Sequence, residues 1–229
     1  MKLLFVPGSG GGREEWTCQT RYFTDSEGIA LPGHPEGKPY PSVDDYVEWL
    51  WSYIHQHRYQ DVILAGHSLG GAIVQLYGLK HPEGVKALVL VGTGARLRVL
   101  PASIMALEKM ITDETAWKEY LEQRYHLVAP EIRQIIIESR IRIGPAVMLN
   151  DFHCCDKFDI MDTVHTIKLP TLIIDGSEDE MTPIKYANFL ADKIEGAHKV
   201  IIKGGTHFVF TEKPGEVNQA ISKFLSSLS

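Results

Sequence analysis

No apolar run in the chain approaches the ~18 residues a membrane-spanning helix needs, so a membrane span is not expected. The opening stretch Met1 to Val6 stops at Pro7-Gly8, short of the ~7 to 15 apolar residues of a signal-peptide core, and reads as a strand. Positive charge is also scarce: 23 Lys and Arg against 29 Asp and Glu leave a net charge of -6, which repels a phosphate backbone and excludes nucleic acid as the expected partner. Of only three cysteines, Cys18 stands alone and Cys154-Cys155 are adjacent. They fit no zinc spacing and leave one over in any disulfide scheme, so no metal is expected and a reducing cytoplasm is the simplest compartment. Internal repeats, low-complexity tracts and flexible linkers are absent as well.

What is present is an ordinary globular composition, 44% hydrophobic and 23% charged, in 229 residues, enough for a single domain spanning 1–229. Short apolar runs at Leu3 to Val6, Val62 to Ala65, Ala87 to Val91, Leu172 to Ile174 and Val200 to Ile202 lack polar alternation, as strands buried on both faces of a parallel sheet do. Helical patterns lie between them. Ser42 and Asp45 form a capping pair ahead of Tyr46, Val47, Leu50 and Ile54, a second helix runs from Leu69 to Lys80, and others follow Pro183 and Gly215. The alternation predicts an α/β fold with a mostly parallel, doubly wound sheet. After the strand ending near Val91, strand signals vanish over approximately 96–166, where helical segments broken at Pro101, Pro130 and Gly144-Pro145 predict a helical lid insertion.

Gly66-His67-Ser68-Leu69-Gly70 joins a strand to a helix with G-x-S-x-G spacing. Such a sharp turn exposes the serine at the carboxyl end of the strand, beside the free N-H groups of the helix start. A serine hydroxyl is a weak nucleophile until a base accepts its proton, and the base needs a carboxylate to fix its tautomer. The strand Thr171 to Asp175 runs into a turn with Glu178, Asp179 and Glu180, and the strand Lys199 to Ile202 into a loop carrying His207. Asp179 and His207 are therefore the expected acid and base, with Asp175 and Glu178 as alternative acids. His67, next to the serine in sequence, is assigned to packing.

These features together make the chain resemble the α/β-hydrolase superfamily, in particular its small lidded esterases, over nearly its whole length. Gly176, Asp179 and Pro183 match that family's acid turn, and Gly205 and His207 match its histidine loop. The resemblance implies an α/β-hydrolase fold and a Ser68–His207–Asp179 triad. It also implies an oxyanion hole, the pair of fixed donors that binds the developing negative oxygen, made by the backbone N-H groups of Leu69 and Ser9. Pro7-Gly8-Ser9 stands where the family usually has a His-Gly pair, and Gly10-Gly11-Gly12 would let this loop approach substrate. The loop is no phosphate cradle, since Arg13 occupies the last glycine of G-x-G-x-x-G and no Lys-Ser or Lys-Thr follows. The chain begins at the first core strand, without the antiparallel strands that precede it in larger relatives.

The implied activity is cleavage of a small-molecule carboxylic ester through an acyl-enzyme, with no cofactor. Carbon-carbon bond hydrolases, thioesterases, lyases and cofactor-free haloperoxidases share the constellation, and a slow-turnover ligand receptor is a more distant alternative. A serine nucleophile excludes the aspartate-nucleophile branches. Met105, Met110, Trp117, Leu121, Ile136, Met148 and Phe152 are candidates for an acyl pocket, though packing between lid helices accounts for any one of them. Arg133, Arg140 and Arg142 are equally explained as an anion site or a solvated helix face.

Overall fold

The computed structural model describes residues 1–228. Six strands, β1 (Lys2–Val6), β2 (Ser26–Gly28), β3 (Val62–His67), β4 (Val85–Val91), β5 (Thr171–Gly176) and β6 (His198–Ile202), form one sheet in the order β2-β1-β3-β4-β5-β6. Every neighbouring pair is parallel. The five expected strands are all present. β2 was not expected: it is three half-buried residues, Ser-Glu-Gly, on the sheet edge, with no apolar run to announce it.

The pleat divides each apolar run between two cores. Leu4, Val6, Leu64 and Leu90 face a layer containing α2 (Val43–Gln56), α3 (Leu69–Lys80) and α8 (Lys185–Lys193), whereas Phe5, Ile63, Ala65 and Val91 face Trp16 and α10 (Pro214–Ser226). α2 begins where its sequence says, with the Asp45 N-H donating to Ser42 Oγ at 3.1 Å. Shorter helices α1 (Thr17–Tyr22) and α9 (Val209–Glu212) pad the second layer.

Between β4 and β5 the chain forms α4 (Pro101–Met110), α5 (Glu114–Arg124), α6 (Pro130–Ile143) and α7 (Pro145–Lys157), three of them opened by proline at a first-turn position where its missing N-H costs nothing. Leu107, Trp117, Leu121, Ile136 and Met148 from these helices join the second core and are buried. They are packing residues, while Met105 is 57% exposed. Among the described residues no helix is long and apolar enough to cross a membrane.

β1 pairs with β2 on one side and β3 on the other, so the crossovers leave it in opposite directions. The loops following β1 and β3 therefore flank a crevice at the carboxyl ends of the strands, the place where open parallel sheets hold ligands. Ser9 lies in the first loop and Ser68 in the second.

Candidate active site

Ser68 occupies the tight turn between β3 and α3 with φ +51° and ψ −113°, a backbone conformation that costs about 1–3 kcal/mol for a residue with a side chain. The surroundings hold it there. Its N-H donates to the Val91 carbonyl at 3.0 Å, and its own carbonyl accepts from Thr93 Oγ1 at 2.8 Å and from the Ala72 N-H at 3.1 Å. A side chain at Gly66 would collide with the Gly70 carbonyl, and one at Gly70 with the carbonyls of Val6 and Pro7. These two glycines let the turn close and let α3 start against the loop after β1.

His207 and Asp179 meet as expected. His207 Nδ1 donates to Asp179 Oδ2 at 2.8 Å, and both side chains are buried. The same oxygen accepts from Thr182 Oγ1, and Oδ1 accepts from the backbone N-H groups of Met181 and Thr182, all at 2.8 Å. Burial alone would raise the carboxyl's pKa, but His207 and these hydrogen bonds outweigh it and hold Asp179 well below the usual carboxylate range. Asp175 behaves oppositely. Buried at the end of β5 and beside the Asp179 charge, its pKa is pushed up to about 8, and neither it nor Glu178 bonds to His207.

With Nδ1-H committed to Asp179, Nε2 is the His207 nitrogen that carries a lone pair, and it has no hydrogen-bond partner among the described residues. The Ser68 hydroxyl is likewise unbonded, and both side chains border the same cavity of about 450 Å³. Ser9 and Phe152 line it too, Phe152 alone of the seven lid residues considered for an acyl pocket. Leu97, Val99 and Tyr186 supply apolar wall that sequence reading did not assign.

His67 does more than pack. Its Nε2-H donates to the His207 carbonyl at 2.9 Å, and its ring lies 4.7 Å from that of His207. Burial first, and then the neighbouring His207, lower its pKa well below the ordinary imidazole value, so it stays neutral. Its position beside the serine prevents it from being read as a base, but nothing in the local sequence shows what its ring reaches.

The loop after β1 is held by buried polar side chains from α6, from α7 and from the loop that follows β2. Arg140 Nη1 of α6 donates to the Ser9 carbonyl at 3.0 Å, the Gly10 N-H donates to Asp151 Oδ2 of α7 at 2.7 Å, and His34 Nδ1 donates to the Gly11 carbonyl at 2.7 Å. The Gly10 N-H is thus occupied, whereas the Ser9 N-H makes no hydrogen bond with a described residue. Leu69, the first residue of α3, has no intrahelical acceptor for its N-H. The glycine run serves these helices rather than a substrate: side chains at Gly10, Gly11 and Gly12 would strike Met148, Glu15 and Ser139 respectively.

Arg140 is no part of a solvated face. It is 1% exposed and donates from Nε and Nη2 to Glu15 Oε1 at 2.8 and 2.6 Å, and that oxygen also accepts from the Tyr125 hydroxyl at 2.7 Å. Arg140→Met leaves the Glu15 carboxylate buried and unpaired, and is expected to lower stability by about 3–5 kcal/mol in urea unfolding. Adding Glu15→Gln should recover part of that loss.

His34 Nε2 lies 3.2 Å from Asp151 Oδ2. Burial alone would lower the imidazole pKa, but the Asp151 charge and hydrogen bonds reverse this and raise it. The resulting stabilisation is fully present below about pH 6.5, the unfolded imidazole value, and fades as pH rises through the higher folded value. The melting temperature is therefore expected to fall as pH rises above about 6.5, and less steeply in His34→Gln.

Comparison with known proteins identifies the family. Residues 3–220 match the Alpha/beta hydrolase family, and the chain belongs to it. A thermophilic esterase of known structure superposes with a TM-score of 0.82 at 31% identity, covering 100% of this chain and 90% of that one. The (E)-2-((N-methylformamido)methylene)succinate hydrolase of Acinetobacter baylyi is 25% identical over 98% of this chain and 90% of its own length. A bromoperoxidase from Bacillus anthracis shares the fold at a TM-score of 0.87 and 21% identity, covering 98% of this chain and 92% of that one.

Proposed function

We propose that the protein is a serine hydrolase of small carboxylic esters, in which Ser68 is the nucleophile, His207 the general base and Asp179 the acid that orients it. The observation that carries this reading is the buried Asp179–His207 hydrogen bond beside a cavity that Ser68 also borders. Ser68 Oγ attacks the ester carbonyl while His207 Nε2 takes its proton. The negative oxygen of the tetrahedral intermediate is received by the N-H groups of Leu69 and Ser9, where one fixed donor contributes roughly 100- to 1,000-fold in rate. His207 returns the proton to the departing alcohol, and water activated by the same nitrogen then releases the acid from Ser68. The protein forms one domain in which helices α4 to α7 cover the acyl site as a lid.

Similarity to a thermophilic esterase at 31% identity supports this choice of bond. Multiple-turnover hydrolysis of p-nitrophenyl esters of short acyl chains is expected, together with fluorophosphonate labelling confined to Ser68 by peptide mass spectrometry. Labelling at another residue, or full turnover by the labelled protein, overturns the assignment.

A further inference from the structure

The arginines around the cavity differ in one respect. Arg140 is neutralised by Glu15, and Arg98 lies 3.5 Å from Asp159 and also donates to the Asp156 carbonyl. Arg124, at the end of α5, has no carboxylate within 4.0 Å among the described residues. Its Nη1 donates to the Tyr120 hydroxyl at 2.8 Å and its Nη2 lies 2.9 Å from Met181 Sδ, both uncharged partners. The guanidinium carbon sits 4.8 Å from the centre of the Phe208 ring, which supports the group from one side. Its Nε is buried and finds no acceptor among the described residues.

This side chain lines a narrow recess with Ser9, Ser68, Phe152, Met181 and His207, five residues that also line the main cavity. The recess beside the nucleophile thus has on its wall a half-buried arginine without a carboxylate partner, a place where an anionic acceptor interacts strongly. At about 10 Å³ the recess admits no carboxylate as it stands, and Met181, 41% exposed and 2.9 Å from Nη2, is the side chain such a group would displace. The larger cavity is left for the rest of the ester.

We infer that Arg124 recognises a carboxylate on the substrate, so that the preferred esters are half-esters of short dicarboxylic acids rather than plain fatty acyl esters. Nε-H and one Nη-H together present the fork that binds both oxygens of a carboxylate, which a lysine does not reproduce. This inference rests on the hydrolase reading above.

The test compares kcat/KM for p-nitrophenyl hydrogen glutarate and p-nitrophenyl valerate, which differ in a terminal carboxylate against a methyl group. The wild type is expected to favour the half-ester, and Arg124→Gln to lower the ratio of the two values by about 10- to 100-fold, the scale of one charge-assisted hydrogen bond. Arg124→Lys should restore only part of it. A general loss of folding or activity leaves that ratio unchanged, so an unaltered ratio in Arg124→Gln overturns the inference. Calorimetric titration with glutarate provides a readout without turnover: binding should weaken in Arg124→Gln, and equal affinity in the two proteins is equally fatal to the anion site. Failure of the hydrolase reading has a different signature, namely turnover of neither ester, or turnover that survives Ser68→Ala.

Discussion

Replacing Ser68 with alanine is expected to lower kcat for an activated aryl ester by about a million-fold, the scale at which removal of a triad nucleophile acts in serine hydrolases. The large effect follows from the absence of any second nucleophile assigned to the site. Neighbouring thiols do not substitute: burial raises the pKa of Cys155, which also lines the cavity, far above neutrality, so it carries almost no thiolate. The residual rate should come from donors that still bind the carbonyl oxygen. Unchanged steady-state turnover by correctly folded Ser68→Ala protein ends the serine mechanism outright.

Asp179→Asn is expected to cost about 10,000-fold in kcat with little change in fold. The asparagine oxygen can still accept from the N-H groups of Met181 and Thr182, so the turn persists. Its amide nitrogen, however, donates to His207 Nδ1 and drives the proton to Nε2, the nitrogen that must accept from serine. Asp175→Asn is the informative contrast. Its carboxyl, with pKa near 8, is mostly protonated at neutral pH and does not touch the imidazole, so a neutral replacement should leave turnover nearly intact. If the two variants fell together, the orienting acid would have to be reassigned.

The strands, and the convergence of Ser68, Asp179 and His207 on one cavity edge, were legible because each is announced locally. Apolar runs mark the strands, and Ser68, Asp179 and His207 each follow one at the carboxyl end, in turns that glycines keep tight. β2 was not legible, because pairing at the sheet edge rather than composition makes Ser26–Gly28 a strand. The buried ions were not legible for a different reason. Arg140 and Arg142 are near neighbours on α6, yet one is buried and the other exposed.

A signal was available in the helical period. Ile132, Ile136, Arg140 and Ile143 recur at spacings of four, four and three, which places Arg140 in the apolar stripe. Met148, Asp151 and Cys155 on α7 follow the same rule with spacings of three and four. A charge inside such a stripe calls for a partner across the interface, but only the fold identifies Glu15, Gly10 and His34 as the groups that answer. His67 was illegible in the same way, since its acceptor lies 140 residues away along the chain.

The way α6 and α7 grip the loop after β1 bears on how specificity can be exchanged among such proteins. Transplanting residues 101–157 from a relative without counterparts of Arg140 and Asp151 would strand Glu15 in the core and release Ser9 and Gly10 from their anchors. Such a chimera, though it swaps only the roof, would disturb the loop beneath it. Re-engineering for new substrates is better confined to α4 and α5, leaving the two helices that brace the floor in place.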